Sequence, residues 1–279
     1  MATALLTFLA LVSFAANSIF ARLALGALSI DPASYTAVRL ITGAATLWLI
    51  VRFGQADKPT VSDRGGWTAA AMLFLYAAAF SFAYITLAAG TGALILFAAV
   101  QITMIGAGLY SGERPSPLHW LGLLIAVAGL VYLVSPGITA PPAVGSLLMG
   151  TAGVAWGLYS ILGRGVTDPV HATAKNFLST VPLTLIVLIF GLPSLAVTAE
   201  GFLWAALSGS ITSAVGYVIW YAALRGLSAT LAATVQLSVP ALAGLGGVLF
   251  LSEPMTWRLI LSGAIILSGV ALAIFSRKK

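Results

Sequence analysis

Leu121-Gly-Leu-Leu-Ile-Ala-Val-Ala-Gly-Leu-Val-Tyr-Leu133 is apolar on every side of a helix and on both faces of a strand. A strand crossing a membrane would alternate polar and apolar over about ten residues. Nothing alternates here, so the segment reads as a helix with apolar surroundings. Outward from it the same texture runs from Leu5 to Phe275. The apolar stretches are about 20 residues long, which at 1.5 Å per residue matches the roughly 30 Å hydrocarbon core of a bilayer.

Charged residues are 7% of the 279 and hydrophobic ones 60%, whereas soluble domains run near 25% charged. Mean hydropathy is +1.07. In hydrocarbon every backbone N–H and C=O must be satisfied within the span, so the chain is expected to be an all-α membrane protein. A secretory leader followed by a soluble domain is excluded, because the apolar runs never stop. Cysteine is absent, which removes disulfides, thiolate metal sites and cysteine nucleophiles. His119 and His171 stand singly near span ends, without a partner at metal-ligand spacing, so no metal or other cofactor is expected. The isoelectric point near 9.8 would suit a nucleic-acid binder, but the basic residues fall between spans. The expected partners are the lipid bilayer and a small molecule, with no nucleic acid, and the chain is expected to be monomeric.

Breakers divide the ribbon into ten transmembrane spans: Asp31-Pro32, Asp57-Lys58-Pro59, Gly112-Glu113-Arg114-Pro115, Pro136-Gly137, Asp168-Pro169, Gly191-Leu192-Pro193 and Glu253-Pro254. The spans read as 3–24, 33–53, 66–88, 91–111, 117–135, 144–163, 172–191, 202–223, 229–251 and 257–276. The cut near Gly90 has little polarity and rests on length, since 66–111 is too long for one crossing. With a cytoplasmic N-terminus, the inner side holds Arg52, Lys58, Arg64, Arg114, Arg164, Lys175, Arg225, Arg277, Lys278 and Lys279. The outer side holds only Arg22, Arg39 and Arg258. Basic residues favour the cytoplasmic side, so both termini are placed there, in the cell inner membrane.

The halves repeat. Ala98-Ala-Val-Gln101 recurs as Ala233-Thr-Val-Gln236, Asp31-Pro32 as Asp168-Pro169, and Ser111-Gly-Glu113 as Leu251-Ser-Glu253. Glu113 to Gly129 and Glu253 to Gly269 have equal spacing. Five spans lie in each half, 1–138 and 143–279, joined by the Pro136 to Pro142 linker. An odd number of spans turns the second half upside down. The expected fold is therefore ten transmembrane helices in two inverted five-helix repeats around a central cavity, an architecture of transporters with the substrate at the midplane.

At this point the chain resembles the EamA-like branch of the drug/metabolite transporter superfamily. The segments that carry the likeness are Phe14-Ala-Ala-Asn17-Ser-Ile-Phe-Ala-Arg22, Gly145-Ser-Leu-Leu with Ala155-Trp156-Gly-Leu-Tyr159-Ser160, Tyr221-Ala-Ala-Leu-Arg225 with Ser228-Ala, and Ser252-Glu253-Pro254-Met-Thr-Trp257. They cover almost the whole chain, in both repeats. Length and span number are also similar to the bacterial amino-acid exporters of that superfamily, including the aromatic amino acid exporter group. The resemblance implies that spans 1, 3, 4, 6, 8 and 9 line the cavity and that the direction of transport is export.

Polar residues follow the same division, because polar side chains in hydrocarbon should face a cavity or a neighbouring helix. Gln101 and Phe97 share one face of span 4, and Gln236 is the repeat counterpart of Gln101. Trp156 and Tyr159 share a face of span 6 near its middle. Ser213, Tyr217 and Trp220 form a stripe on span 8. Asn17 in span 1 and Tyr84 at the outer end of span 3 complete the candidate substrate-binding set. Each has a plainer role as interhelical contact or, for Trp220 and Tyr84, as interfacial belt. Glu113 and Glu253 each open a span and are expected to cap it. Arg22 and Arg39, near the outer ends of neighbouring spans, are expected to snorkel to the outer surface, with an anion-attracting role as the alternative. No carboxylate occupies the middle of a span, which points to facilitated transport or a less obvious coupling route.

A secondary transporter exporting amino acids or similar small metabolites by alternating access is the leading reading. Efflux of drugs, purines or other metabolites by the same fold is the alternative. An intramembrane enzyme would need a nucleophile–base pair, paired carboxylates or a metal cluster, and none is spaced for it. A scaffold or lipid-binding role fits the inverted repeat poorly.

Overall fold

A computed structural model describes residues 2–26, 29–53, 66–87, 89–134, 142–251 and 257–275. These residues form α1 (Ala2–Ala21), α2 (Pro32–Phe53), α3 (Gly66–Ala83), α4 (Ala89–Tyr110), α5 (Pro117–Val134), α6 (Ala143–Gly163), α7 (Pro169–Gly191), α8 (Ala199–Leu207), α9 (Gly216–Leu224), α10 (Ala229–Gln236), α11 (Ser238–Leu251) and α12 (Trp257–Phe275). A π-helical turn over Arg22–Gly26 extends α1, and another over Ser208–Val215 joins α8 to α9. Among the described residues, seven continuous helical stretches are long and apolar enough to cross a bilayer: Ala2–Leu25, Pro32–Phe53, Gly66–Ala83, Ala143–Gly163, Pro169–Ser194, Ala199–Leu224 and Ala229–Phe250. Three shorter apolar helices, Ile95–Tyr110, Pro117–Gly129 and Ile260–Phe275, accompany them. The chain is thus an all-helical membrane protein. The 54–64 loop, most of the Pro136 to Pro142 linker, Glu253-Pro254 and the C-terminal Arg277, Lys278 and Lys279 lie outside the described residues.

The breakers act as caps. Asp31 accepts from the Ser34 amide at 2.9 Å and Asp168 from the His171 amide at 3.1 Å, each followed by a proline whose missing N–H is no loss in a first turn. Ser116 caps α5, Thr198 caps α8 and Ser228 caps α10 in the same way. α3 ends sooner than expected. Past Ala83, Ile85 and Thr86 donate to carbonyls three residues back at 3.4 and 3.2 Å, which tightens the chain into a turn. Tyr84 therefore sits in that turn, not on the helix.

Small residues set the closest approaches, as expected where hydrocarbon gives no hydrophobic drive between helices. A Cβ on Gly122 of α5 would lie 2.6 Å from the Gly269 carbonyl oxygen of α12, and one on Gly269 would lie 2.5 Å from that of Gly122. Gly129 meets Ile265 and Ile266 further along, so the two helices run antiparallel. α3 and α4 both pack on α6, α1 packs on α9 and α11, and α2 packs on α7 and the Ser208–Val215 turn.

Gly122→Leu should therefore lower the thermal midpoint of the purified protein, by an overpacking penalty of roughly 1–3 kcal/mol. Gly106→Ala, where an added Cβ meets nothing within 4 Å, should leave it unchanged or slightly raise it. Equal midpoints for both variants would refute the close α5–α12 contact.

Candidate functional site

A cavity of about 40 Å³ lies where α1, α3, α4 and α6 meet the junction of α10 and α11. That volume holds about three waters. The junction follows from Pro240. It has no N–H to give the Gln236 carbonyl, and Leu237 instead donates to Thr234 three residues back at 3.1 Å. The break leaves Gln236 and Val239 facing the cavity.

Trp156 crosses from the opposite wall. Its indole N–H donates to Gln236 Oε1 at 2.7 Å, while Gln236 Nε2 donates to the Ala232 carbonyl at 3.1 Å and approaches Met104 Sδ at 3.3 Å. Phe14 meets Trp156 edge to face at 5.1 Å, and Tyr76 lies 5.0 Å from it. Asn17 accepts from Ser208 at 2.6 Å and Thr212 at 3.1 Å, so its carbonyl end is fixed from the π-helical turn. A π turn inserts an extra residue into a helix and is common at functional sites. Here it presents Ser208 and Thr212 to α1 and Ser213 to α2.

Of the candidate residues, Asn17, Tyr84, Phe97, Trp156 and Gln236 line this cavity. Gln101 stands one turn beyond Phe97, donating to the Ala233 carbonyl at 2.7 Å, with its Oε1 buried and unpartnered. Tyr159 is fully buried, 4.9 Å from the Tyr221 ring. Trp220 is no belt residue: it is fully buried and donates to Ser160 at 3.0 Å. Ser213 and Tyr217 face an arginine.

That arginine corrects the sequence reading. Arg39 does not snorkel; it is 1% exposed. Seven residues past the first residue of α2, it lies about 10 Å inside the helix end. Its Nε donates to Ser213 at 2.9 Å, and one terminal nitrogen donates to the Tyr217 hydroxyl at 2.6 Å and the Tyr76 hydroxyl at 3.4 Å. The guanidinium sits over the rings of Tyr76 and Phe80 at 5.2 and 5.6 Å. The other terminal nitrogen has no partner. Arginine at the centre of a membrane helix costs about 2.5–3.5 kcal/mol on insertion scales, so this residue needs a reason. The available signal was its position well inside an apolar run; treating every Lys and Arg as a loop marker hid it. Tyr76 and Phe80 went unnoticed as ordinary aromatic positions.

Glu113 corrects a second reading. It does not cap its own span. Its carboxylate accepts from the Ala229 and Thr230 amides at 2.7 and 3.0 Å and from the Thr230 hydroxyl at 3.0 Å, capping α10 instead, and it pairs with Arg164 at 3.1 Å. Burial pushes its carboxyl upward, but the two amides, the hydroxyl and Arg164 outweigh burial and hold it below the ordinary value. His119, near a span end, is buried against α10, with Nε2 3.2 Å from the Thr234 hydroxyl. Among the described residues no three His, Asp or Glu side chains gather to hold a metal ion.

The described residues form a polytopic helical bundle with a polar and aromatic interior cavity, and its family makes it a membrane transport protein. The EamA-like transporter family matches over residues 1–135 and again over 143–275. The chain belongs to the EamA-like transporter family. It is similar to the uncharacterized protein PA1977 of Pseudomonas aeruginosa, 47% identical over 99% of this chain and 95% of that one. It is also similar to the threonine/homoserine exporter RhtA of Escherichia coli K12, at 29% identity over 63% of this chain and 60% of RhtA. A protein of known crystal structure shares the fold at TM-score 0.79 and 19% identity, over 99% of both chains.

Because Glu113 is lowered in the folded protein, its stabilisation is complete above the ordinary carboxylate value of 4.5 and fades as pH falls through the lowered one. Glu113→Gln should thus lower the thermal midpoint at neutral pH, with a cap-sized loss of roughly 0.5–2 kcal/mol. The difference from wild type should shrink in acid. A difference independent of pH would remove the carboxylate from this role.

Proposed function

We propose that this chain is a secondary transporter of the cytoplasmic membrane that exports amino acids or similar small metabolites by alternating access. It is built as two five-span halves, 1–138 and 143–279, the second inverted, with both termini cytoplasmic. The single observation that carries the reading is the interior cavity, framed by rings and amides from elements of both halves.

Packing supports the inverted halves. With α8–α9 and α10–α11 each taken as one span, exchanging every span for the one five places on turns α3 on α6 into α8–α9 on α1. It likewise turns α4 on α6 into α10–α11 on α1, while α2–α7 and α5–α12 map onto themselves. Phe14 stands eight residues before Arg22, as Trp156 does before Arg164; these equivalent rings meet across the cavity. The two family matches repeat the same division. For orientation, Glu113, Arg164 and Arg225 cluster at one end, where Arg225 also reaches the Thr167 carbonyl. A cytoplasmic end should be this basic one. Similarity to RhtA supports amino acids as substrate class.

The cavity offers only about 40 Å³, so the rings around Trp156 are expected to shift as substrate enters. Amide and indole groups then serve the substrate's polar atoms, and the rings its apolar part.

Counterflow of labelled amino acids into liposomes holding the purified protein tests the reading. Trp156→Ala should reduce uptake at least about tenfold, the equivalent of about 1.4 kcal/mol. Trp48→Ala, on the exposed face of α2, should not. Flux at the wild-type level in Trp156→Ala, or no flux for any amino acid, would reject it. None of the described carboxylates lines the cavity, so uptake down a substrate gradient should survive collapse of the proton gradient. Strict dependence on that gradient would count against simple facilitation.

A further inference from the structure

We propose that Arg39, with the hydroxyls of Tyr76, Tyr217 and Ser213, is an anion subsite that receives the carboxylate of the transported substrate. The inference rests on the transport reading and adds a receptor for one end of the substrate.

A guanidinium stays charged in any protein setting, so its burial calls for a counter-charge. No described carboxylate supplies one. Asp31 is committed to the Ser34 and Ala196 amides, Glu113 to α10 and Arg164, Asp168 to His171 and Glu200 to the Trp204 indole. Asp57, Asp63 and Glu253 lie outside the described residues. The partners that Arg39 does have are neutral hydroxyls and ring faces, and one terminal nitrogen has no partner at all. An arginine fork presents two parallel N–H groups to a carboxylate. Here one terminal nitrogen is free, and the other donates to Tyr217 at 2.6 Å and more weakly to Tyr76 at 3.4 Å.

The subsite adjoins the cavity. Tyr76 and Phe80, over which the guanidinium lies, are also cavity wall. Tyr217, its closest partner, lies 4.8 Å from the Trp156 ring. Displacing the Tyr76 ring would open the cavity toward the guanidinium and release the weaker hydrogen bond in the same movement.

The fold does not demand a charge at this place. Arg39 follows Asp31 by the spacing at which Asn176 follows Asp168. Asn176, buried in α7, reaches the Tyr221 hydroxyl at 3.5 Å. The equivalent position in the other half is thus occupied by a neutral amide that also contacts a tyrosine. A strut between helices needs no more than that; the positive charge is the surplus.

Two measurements test the proposal. The first is competition in counterflow by three unlabelled forms of a transported amino acid: the acid, its primary amide and the decarboxylated amine. Wild type should prefer the acid at least tenfold. Arg39→Gln should lose that preference, and Arg39→Lys should keep part of it. Equal competition by all three forms on wild type, or a preference kept by a transporting Arg39→Gln, overturns the subsite and leaves the transport reading standing. The second needs neither transport nor a variant: thermal stabilisation of the purified wild type by benzoate, benzamide, benzylamine and chloride. Benzoate alone should raise the midpoint. If it does so while no amino acid is carried, the subsite stands and the substrate reading falls. No stabilisation by benzoate, or as much by benzamide or chloride, overturns the subsite.

Discussion

Hydrocarbon offers no hydrogen-bond partner, so the longer polar side chains inside this bundle are met from another helix, whereas a serine such as Ser81 turns back on its own. Asn17 is met by Ser208 and Thr212, Arg39 by Ser213 and Tyr217, Gln101 by the Ala233 carbonyl, Trp156 by Gln236 and Trp220 by Ser160. All of these bonds involve the stretch from Ser208 to Gln236. That stretch is where the helices are least regular, with a π turn at Ser208–Val215 and the break before Pro240. The two facts are linked: a regular helix keeps its carbonyls and small polar groups to itself, and irregular backbone is tolerated at membrane depth only where protein or a cavity covers it.

Close backbone approach makes those meetings possible. A Cβ at Gly209 would collide with the Arg39 carbonyl, and one at Gly43 with the Phe177 ring. The glycines let α2 lie against the π turn, which brings Ser213 within 2.9 Å of the guanidinium. Gly153 brings α6 against the Leu96 carbonyl of α4, one turn before Trp156 enters the cavity. Small residues at these crossings fix where the large ones project.

Hydropathy made the helices legible, because a 20-residue apolar run in a bilayer has one solution. The poorly marked cut near Gly90 falls a few residues late: the chain turns at Tyr84–Leu87, and Gly90 is already in α4. What stayed hidden depended on contacts distant in sequence. Glu113 looked like a cap for the span beside it, yet the amides it serves belong to Ala229 and Thr230, more than a hundred residues away. Arg39 looks like a boundary charge in the sequence, because hydropathy gives a single charge no depth. The π turn is not legible either: Ser208-Gly-Ser-Ile-Thr-Ser213 is polar, which signals an inward face but not the extra residue in the turn. Within the candidate site, sequence alone brought forward Trp156, Phe97, Asn17, Tyr84 and Gln236. Tyr76, Phe80 and Phe14 looked like any other aromatic in lipid.

The two ends of the bundle are held by different kinds of contact, and this bears on how the cavity opens. At one end Asp31 binds the Ala196 amide at 3.0 Å, Ile30 pairs with Val197, and Thr198 donates to the Ser29 carbonyl at 2.9 Å. Burial raises the Asp31 carboxyl, but the bonds from Ser34, Ala196 and Ala33 outweigh it and leave it below the ordinary value. At the other end Glu113 ties α10 to Arg164. Both sets are made at once in this conformation, so opening further on either side has to release one of them. A net hydrogen bond contributes about 0.5–1.5 kcal/mol, and one to a charged group about 1.5–3. Releasing one set thus costs a few kcal/mol, the scale on which a minor open state is still populated. Substrate binding energy of that size suffices to favour one opening over the other. Each carboxylate would then act as a latch whose strength is set by the few amides it holds.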